Sequence, residues 1–363
     1  MSTNLHEVFL QIVRLGIGHT ESTDNTEIKK LSGAEWVQLK SLSEEQGLSA
    51  IVLDGIERLP DDQRPPQVLL LEWIGEVLQD ESTYSLQSQV AKDVASLFYR
   101  NVIKTYVLKG HVISECYPRP NHRASVDIDC FLLPYKGDFD AWTLGNDLIH
   151  AKGFSVNTDF YKNSSFDISG VNIENHQYLT PFRGNARLAS LEKLLQNYLR
   201  QDKGESVFEG THLYRPPVRV SALFLIEHAY SHFLHEGLTL RMVLDWMMFS
   251  KNHRAEIDWE DLDAHIDDFG FRKFYDSYNR LGKYLLGEIQ DLDLTKEDKK
   301  MLADVWAPLD LHETVRGIKG KLALAGNTWR ARWKYRYFTE MSWVTALWIQ
   351  VKGFLFENNP TLK

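Results

Sequence analysis

The sequence predicts an α+β protein in which a small mixed sheet lies between an N-terminal and a C-terminal helical region. Apolar residues recur at helical spacing over the first hundred residues or so, and again after about Leu188. Between Thr105 and Phe182 they instead form short β-branched or alternating runs. Because 363 residues exceed the usual size of one hydrophobic core, we expect three regions, 1–104, 105–183 and 184–363.

The N-terminal region is predicted to consist of helices alone. From Leu5 to about Thr105 the apolar positions follow a helical period, and three prolines interrupt them: Pro60, Pro65 and Pro66. The helical pattern resumes at Val68 and continues to Lys104.

The central region is predicted to hold two strands and a hairpin. A β-branched and aromatic run, 105–108, ends at Lys109-Gly110, and 126–133 alternates before Pro134, so we expect two strands joined by a short helix. A helix is expected over 139–152. The segment from Phe166 to Leu179 is typical of a hairpin whose turn contains Ser169-Gly170.

The C-terminal region is predicted to be mainly helical. A helix over 188–199 precedes an expected loop rich in glycine and proline, 204–217, and helices follow from about Val220. The basic and aromatic segment 329–338 and the apolar segment 343–356 are interpreted as helices that close this region, with Arg and Lys stems lying over rings. The alternative is peripheral contact with a membrane surface or an acidic partner.

Composition and charge exclude several classes of protein. With 43% hydrophobic and 25% charged residues, the chain is neither disordered nor a small disulfide scaffold. A net charge of −9 disfavours general nucleic-acid binding, although a local cluster of arginines can still hold an anion. Cys116 and Cys130 are expected to be reduced core residues. With no signal-like N-terminus and no long apolar run, we expect a cytoplasmic protein.

Two carboxylates in one predicted strand are the main candidates for chemistry. In Asp127-Ile128-Asp129 the period of two directs both acids to one face and Ile128 to the other. Neighbouring buried carboxylates repel each other, so the pair indicates a divalent cation such as Mg²⁺ or Mn²⁺, or a basic partner. The alternative to a metal site is that one of these two aspartates lies exposed at the end of the strand and the other caps a turn.

Residues suited to anions surround this strand in the sequence. Lys109 and Gly110 end the preceding strand, where backbone amides can approach an anion. Arg119 and Arg123 carry forked donors that match phosphate oxygens, although either can instead pair with a surface acid.

Leu108-Lys-Gly, Tyr117-Pro-x-Pro-x-x-Arg, Asp127-Ile-Asp and Glu174-Asn-His together resemble the DNA polymerase β-like nucleotidyltransferase superfamily. The similarity is greatest to a bacterial family of uncharacterised nucleotidyltransferases, and weaker similarity extends to helices before and after the core. The resemblance implies a nucleotidyltransferase sheet flanked by helical regions. One departure is Gly110-His111, where many superfamily members have Gly-Ser or Gly-Gly.

The resemblance also implies a reaction and its residues. Mg²⁺ (or Mn²⁺) would be held by Asp127, Asp129 and Glu174, and a nucleoside triphosphate would lie near four further residues: Lys109, Gly110, Arg123 and Ser125. A nucleoside monophosphate would pass to a hydroxyl of a sugar, a small metabolite or a protein, with release of pyrophosphate. An RNA end stays open as an acceptor but is disfavoured by the acidic charge balance.

Several alternatives stay open at the level of sequence. Asp167 rivals Glu174 as the third acid, and His176 is interpreted as a phosphate contact, a partner of Glu174 or a structural residue. His228 and His232, four apart on a helix, permit a zinc hydrolase, but packing histidines bonded to Asp245 are favoured. The alternative to an enzyme is a family member that has lost catalytic activity and binds a nucleotide or a partner protein.

Overall fold

The computed structural model of the chain describes residues 3–19, 29–307, 326 and 329–356. The remaining parts of the predicted helical regions lie outside the described residues. The fold is a six-stranded mixed sheet with many flanking helices, which confirms the predicted α+β class. Its strands are β1 (Ile103–Val107), β2 (Asp127–Pro134), β3 (Asn163–Ile168), β4 (Val171–His176), β5 (Glu205–Ser206) and β6 (Leu213–Arg215).

The strands lie in the order β3-β4-β2-β1-β6-β5. At the centre, β2 pairs antiparallel with β1 and parallel with β4. β3 and β4 form the predicted hairpin, whose turn residues Ser169 and Gly170 have φ angles of 58° and 82°. This left-handed backbone is favoured in tight hairpin turns.

Helices surround the sheet. Those before β1 are α1 (Thr3–Gly16), α2 (Gly33–Glu45), α3 (Ser49–Glu57) and α4 (Gln67–Arg100). Those between strands are α5 (His111–Ser114), α6 (Ala141–Ala151) and α7 (Ala186–Gln201). Those after β6 are α8 (Val218–His235), α9 (Leu240–Asn252), α10 (Trp259–Asp268), α11 (Arg272–Leu286), α12 (Lys296–Val305), α13 (Arg332–Phe338) and α14 (Trp343–Phe356).

Two glycines set the close packing of α1 on α3. A Cβ added at Gly16 would lie 2.0 Å from the carbonyl oxygen of Ile51, and one added at Gly55 would lie 2.1 Å from that of Ile12. The two backbones therefore approach each other more closely than any side chain would allow.

The predicted loop over 204–217 is wrong. It contains β5 and β6, and β6 pairs parallel with β1 through Thr105 opposite Leu213 and Tyr106 opposite Tyr214. Strands of two and three residues are too short to show a period of two, so they are defined by pairing, β6 with the edge of β1 and β5 with β6. The sheet thus continues past residue 183.

The helix α13 packs as interpreted. Tyr335 and Phe338 are buried, the Phe338 ring lies 5.1 Å from that of Phe233, and the Arg336 guanidinium lies over Tyr337. Trp348 remains 63% exposed. Among the described helices, none is long and apolar enough to cross a membrane. Cys116 and Cys130 are buried and form no disulfide, as expected.

Candidate functional site

The parallel pairing of β2 with β4 brings three acids to one face of the sheet. Asp129 lies opposite Glu174 in register, and Asp127 lies opposite Asn172. The alternate residues Ile128 and Ile173 are each 1% exposed and point into the core. One strand pair therefore supplies both a buried apolar face and a carboxylate face, as the period of two predicts.

Asp129 is the most enclosed of these acids, with a side chain only 3% exposed. Its Oδ1 lies 2.9 Å from His176 Nε2, and its Oδ2 lies 3.0 Å from Lys109 Nζ. Burial would raise the pKa of this carboxyl, but the positive charges of Lys109 and His176 hold it below its ordinary value. Asp129 is thus a carboxylate at neutral pH.

Asp127 behaves differently, since its side chain is 26% exposed and lies 3.9 Å from Lys109 Nζ. Burial and the neighbouring charge of Asp129 raise its pKa. Burial works against the charged form of Lys109, but Asp129 and Asp127 together raise the pKa of its ammonium. Lys109 therefore partly neutralises both strand acids.

Glu174 on β4 completes the acidic face. Its side chain is 30% exposed, it accepts a hydrogen bond of 2.5 Å from Asn163 Nδ2, and its Oε2 lies 3.6 Å from His176 Nε2. His176 thus contacts both Asp129 and Glu174, and these acids raise its pKa against the opposing effect of burial. The rival acid Asp167 is exposed and accepts a hydrogen bond from the Gly170 amide, so it caps the hairpin turn.

The donor atoms suit a divalent cation. Among the described residues, Asp129, Glu174 and His176 form a cluster that could hold a metal ion. One ligand atom from each of them lies within 4.8 Å of the other two. Asp129 Oδ2 is buried and accepts no well-aligned hydrogen bond there. The two carboxylates fit Mg²⁺ or Mn²⁺. His176 Nε2 is engaged with Asp129 and its raised pKa favours the charged imidazole, so His176 would bind a metal only after losing that proton. Asp127 lies on the same face but outside this tight group.

Gly110 and Ser125 meet beside the acids. Gly110 has φ +61°, and a Cβ there would lie 3.1 Å from Ser125 Oγ. The Ser125 hydroxyl donates to the Asp127 carbonyl at 3.0 Å, and Gln87 donates to the Ser125 carbonyl at 3.0 Å. Three of the four predicted nucleotide contacts, Lys109, Gly110 and Ser125, therefore lie together at the start of β2.

Arg123 is engaged elsewhere. It is 4% exposed, and it donates from Nε and Nη2 to the two oxygens of Asp245 at 3.0 and 2.5 Å. The Tyr117 hydroxyl donates to Asp245 at 2.8 Å. Contact between Arg123 and phosphate stays a prediction. Arg119 pairs with two acids, the exposed Glu57, as the surface-acid alternative has it, and the buried Asp54.

Two histidines of α8 contact each other, and His228 lies within electrostatic reach of Lys109 and His176. The rings of His228 and His232 lie 4.4 Å apart, and His232 pairs with Glu236 at 2.8 Å. Burial lowers the pKa of His228 strongly, and the charge of Lys109 adds to this effect. The expected hydrogen bond to Asp245 is wrong, because Asp245 binds Arg123 and Tyr117.

Sequence reasoning missed two polar residues of this site. Asn163 holds Glu174, and Arg241 donates from Nη1 to the carbonyl of Ala124 at 2.6 Å. Nothing in the local pattern of α9 distinguishes Arg241 from a surface arginine. The contact of Asn163 with Glu174 depends on the register of β3 against β4, which the sequence alone does not give.

Comparison with known proteins agrees with this geometry. A family model described as "uncharacterised nucleotidyltransferase" matches residues 32–287, which include the acids, the Lys109 loop and helices α2 to α11. No match was found among curated proteins or among solved structures. Since the matched region is well over half of the chain, the protein belongs to this family of uncharacterised nucleotidyltransferases.

Proposed function

We propose that the protein is a member of the DNA polymerase β-like superfamily that transfers a nucleoside monophosphate from a nucleoside triphosphate to a hydroxyl-bearing acceptor, with Mg²⁺ or Mn²⁺ as cofactor. The observation that carries this proposal is the register of Asp129 opposite Glu174, with Asp127 on the same strand face. Lys109 and Gly110 adjoin these acids, so anion-binding groups and metal-binding groups meet at one place.

In this reaction the acceptor oxygen forms a bond to the α-phosphorus, the bond from that phosphorus to the β-bridging oxygen breaks, and pyrophosphate leaves. Bound divalent cations supply charge neutralisation at the attacking and leaving oxygens. Asp127, Asp129 and Glu174 would hold them, and the Glu174 carboxylate at the cleft edge accepts the hydroxyl proton. Lys109 adds positive charge beside the phosphates, and His176 orients Asp129 and Glu174.

The acceptor is proposed only as a sugar, a small metabolite or a protein hydroxyl. A catalytically degenerate binder is less favoured, because a protein that binds nucleotides without metal needs no adjacent carboxylates on one strand face. The zinc hydrolase is also less favoured, since His232 pairs with Glu236 and the cluster among the described residues lies on the sheet.

The test compares Asp129→Asn with Asp167→Asn, an exposed acid outside the site. Thermal unfolding is measured with each of four nucleoside triphosphates, with and without Mg²⁺. Ligand at about 100 times its Kd stabilises by about 2.7 kcal/mol, which is readily visible. We expect a Mg²⁺-dependent stabilisation in the native protein and in Asp167→Asn, and its loss in Asp129→Asn.

The nucleotide that stabilises the protein then serves as an α-labelled donor in an acceptor screen, with pyrophosphate release as the readout. Stabilisation that ignores both Mg²⁺ and Asp129→Asn would favour the degenerate binder. Unchanged turnover in Asp129→Asn would refute the proposed catalytic site. Circular dichroism of each variant separates loss of binding from loss of folding.

A further inference from the structure

We infer that Arg241 of α9 binds the polyphosphate chain of the nucleotide, on the side of the cleft where Asp127, Gly110 and Ser125 meet. The inference rests on the proposed function and adds a residue that neither the sequence motifs nor the resemblance assigns.

The position of Arg241 is fixed by a chain of contacts. Its Nη1 donates to the Ala124 carbonyl at 2.6 Å, and the next residue, Ser125, donates through its hydroxyl to the Asp127 carbonyl at 3.0 Å. Ser125 in turn lies against Gly110. The guanidinium thus lies against the loop that leads into β2, within the electrostatic reach of both Asp127 and Lys109.

The positive charge of Arg241 is poorly compensated. Of its five N–H donors, one makes a hydrogen bond within the described part of the chain, and its buried Nε has no acceptor there. Gly47 packs against Cδ and Nε, since a Cβ at Gly47 would lie 3.3 Å from each. Burial, followed by the charge of Arg123, lowers the pKa of Arg241.

The nearby acid Asp245 is already in use. Its two oxygens accept two hydrogen bonds from Arg123 and one from Tyr117. Asp245 and Asp127 favour the charge of Arg241 from a distance, but among the described residues its hydrogen bond goes to a backbone carbonyl. An enclosed cation without a bonded counterion is costly, so this arrangement favours an anionic ligand. The free donors of a guanidinium match phosphate oxygens in a forked geometry.

The side chain that follows Gly110 does not supply such a donor. His111 is 1% exposed, and its Nε2 lies 3.0 Å from Ser88 Oγ, so the residue after Gly110 faces the interior. Arg123 is bound to Asp245, whereas Lys109 and Arg241 are two cations whose charges act on Asp127 and that can face a chain of phosphates there. A polyphosphate, with several charges in a row, can contact both.

The experiment measures binding of inorganic tripolyphosphate and of inorganic phosphate, each with Mg²⁺, by calorimetry on the full chain. Arg241→Gln is compared with Arg272→Gln, which removes the same charge from an arginine paired with Asp263 and Asp267 on the helical surface. We expect Arg241→Gln to weaken tripolyphosphate binding by about 10- to 100-fold, the range for one charged hydrogen-bonding partner, and to leave phosphate binding nearly unchanged. Arg241→Lys should retain part of the affinity, and Arg272→Gln all of it.

Three results would overturn the inference: native protein that does not bind tripolyphosphate, equal tripolyphosphate affinity in Arg241→Gln, or an equal loss for phosphate and tripolyphosphate with a lowered Tm, as a purely structural role requires. If Arg241→Gln unfolds, Arg241→Lys carries the same comparison. Failure here with an intact Asp129→Asn effect leaves the proposed function standing. The reverse pattern, a tripolyphosphate site without metal-dependent nucleotide binding, contradicts the proposed function alone.

Discussion

A buried acid on α8 makes the stability of this protein depend on pH in a predictable direction. Glu227 is 1% exposed, and within the described chain neither of its carboxyl oxygens has a hydrogen-bond partner. Burial raises its pKa from 4.5 to about 7, with Lys162 opposing the rise and Glu192 adding to it. The folded protein therefore keeps this proton at pH values where the unfolded chain has lost it.

The sign follows from proton linkage. Between pH 4.5 and about 7 the folded state binds more protons at Glu227 than the unfolded state, so the free energy of unfolding falls as pH rises through this window. At about 1.4 kcal/mol for each pH unit, the loss at pH 8 amounts to roughly 3 kcal/mol. Below pH 4.5 the contribution of Glu227 no longer changes.

Replacing Glu227 by Gln tests this reasoning, because glutamine resembles the protonated acid and cannot ionise. Urea denaturation from pH 5 to pH 8 should show similar stability of native and variant protein at pH 5. At pH 8 the variant should be more stable by up to about 3 kcal/mol. Other titrating groups are common to both proteins and cancel in the difference.

Glu192 provides the matched control. It is also buried, but it accepts hydrogen bonds from the Leu179 and Thr180 amides, the Thr180 hydroxyl and Gln196. In Glu192→Gln the amide nitrogen would face one of these donors, so we expect the free energy of unfolding to fall by about 1–3 kcal/mol at pH 7.

The result that would refute the pKa assignment of Glu227 is a constant difference in the free energy of unfolding between the native protein and Glu227→Gln from pH 5 to pH 8.

Two further predictions concern packing and charge. Asp245→Asn leaves Arg123, which is 4% exposed, without its counterion. Urea denaturation should show that the free energy of unfolding falls by about 3–5 kcal/mol, and a fall below about 1 kcal/mol would contradict the buried ion pair. Gly55→Ala places a Cβ 2.1 Å from the Ile12 carbonyl oxygen, so it should lower the free energy of unfolding by about 1–3 kcal/mol. Gly75→Ala, whose Cβ meets nothing within 4 Å, should be neutral or stabilising, and equal Tm values for the two alanine variants would rule out the close α1–α3 contact.

Local patterns predicted the parts of the fold and site that depend on neighbours in sequence. The period of two placed Asp127 and Asp129 on one face, and Ser169-Gly170 marked the hairpin turn. The identity of Glu174 as the acid beside Asp129 depended on family resemblance, because the parallel register of β2 with β4 has no local signal. β5 and β6 also lack a local signal, because strands of two and three residues are too short to show an alternation of apolar and polar residues.

The partners of Arg123 and Arg241 show where sequence reasoning ends. Arg123 bonds to Asp245, 122 residues away, and Arg241 bonds to the Ala124 carbonyl, 117 residues away. Such distant pairs follow from the packing of α9 on the loop before β2, and no spacing rule encodes them. The motif that contains Arg123 predicted a contact with phosphate, and it carries no signal for the bond to Asp245 that the structure shows.

Arg241 and Asp245 are four residues apart on α9 and so share one face of that helix. Asp245 neutralises Arg123 and fixes the loop to the helix, while Arg241 bonds to the carbonyl of the next loop residue. The two arginines would repel each other without the acid between them, so Asp245 also stabilises Arg241 in its position. A single helical turn thereby fixes the loop that leads into β2 and places the charge of Arg241 within electrostatic reach of Asp127.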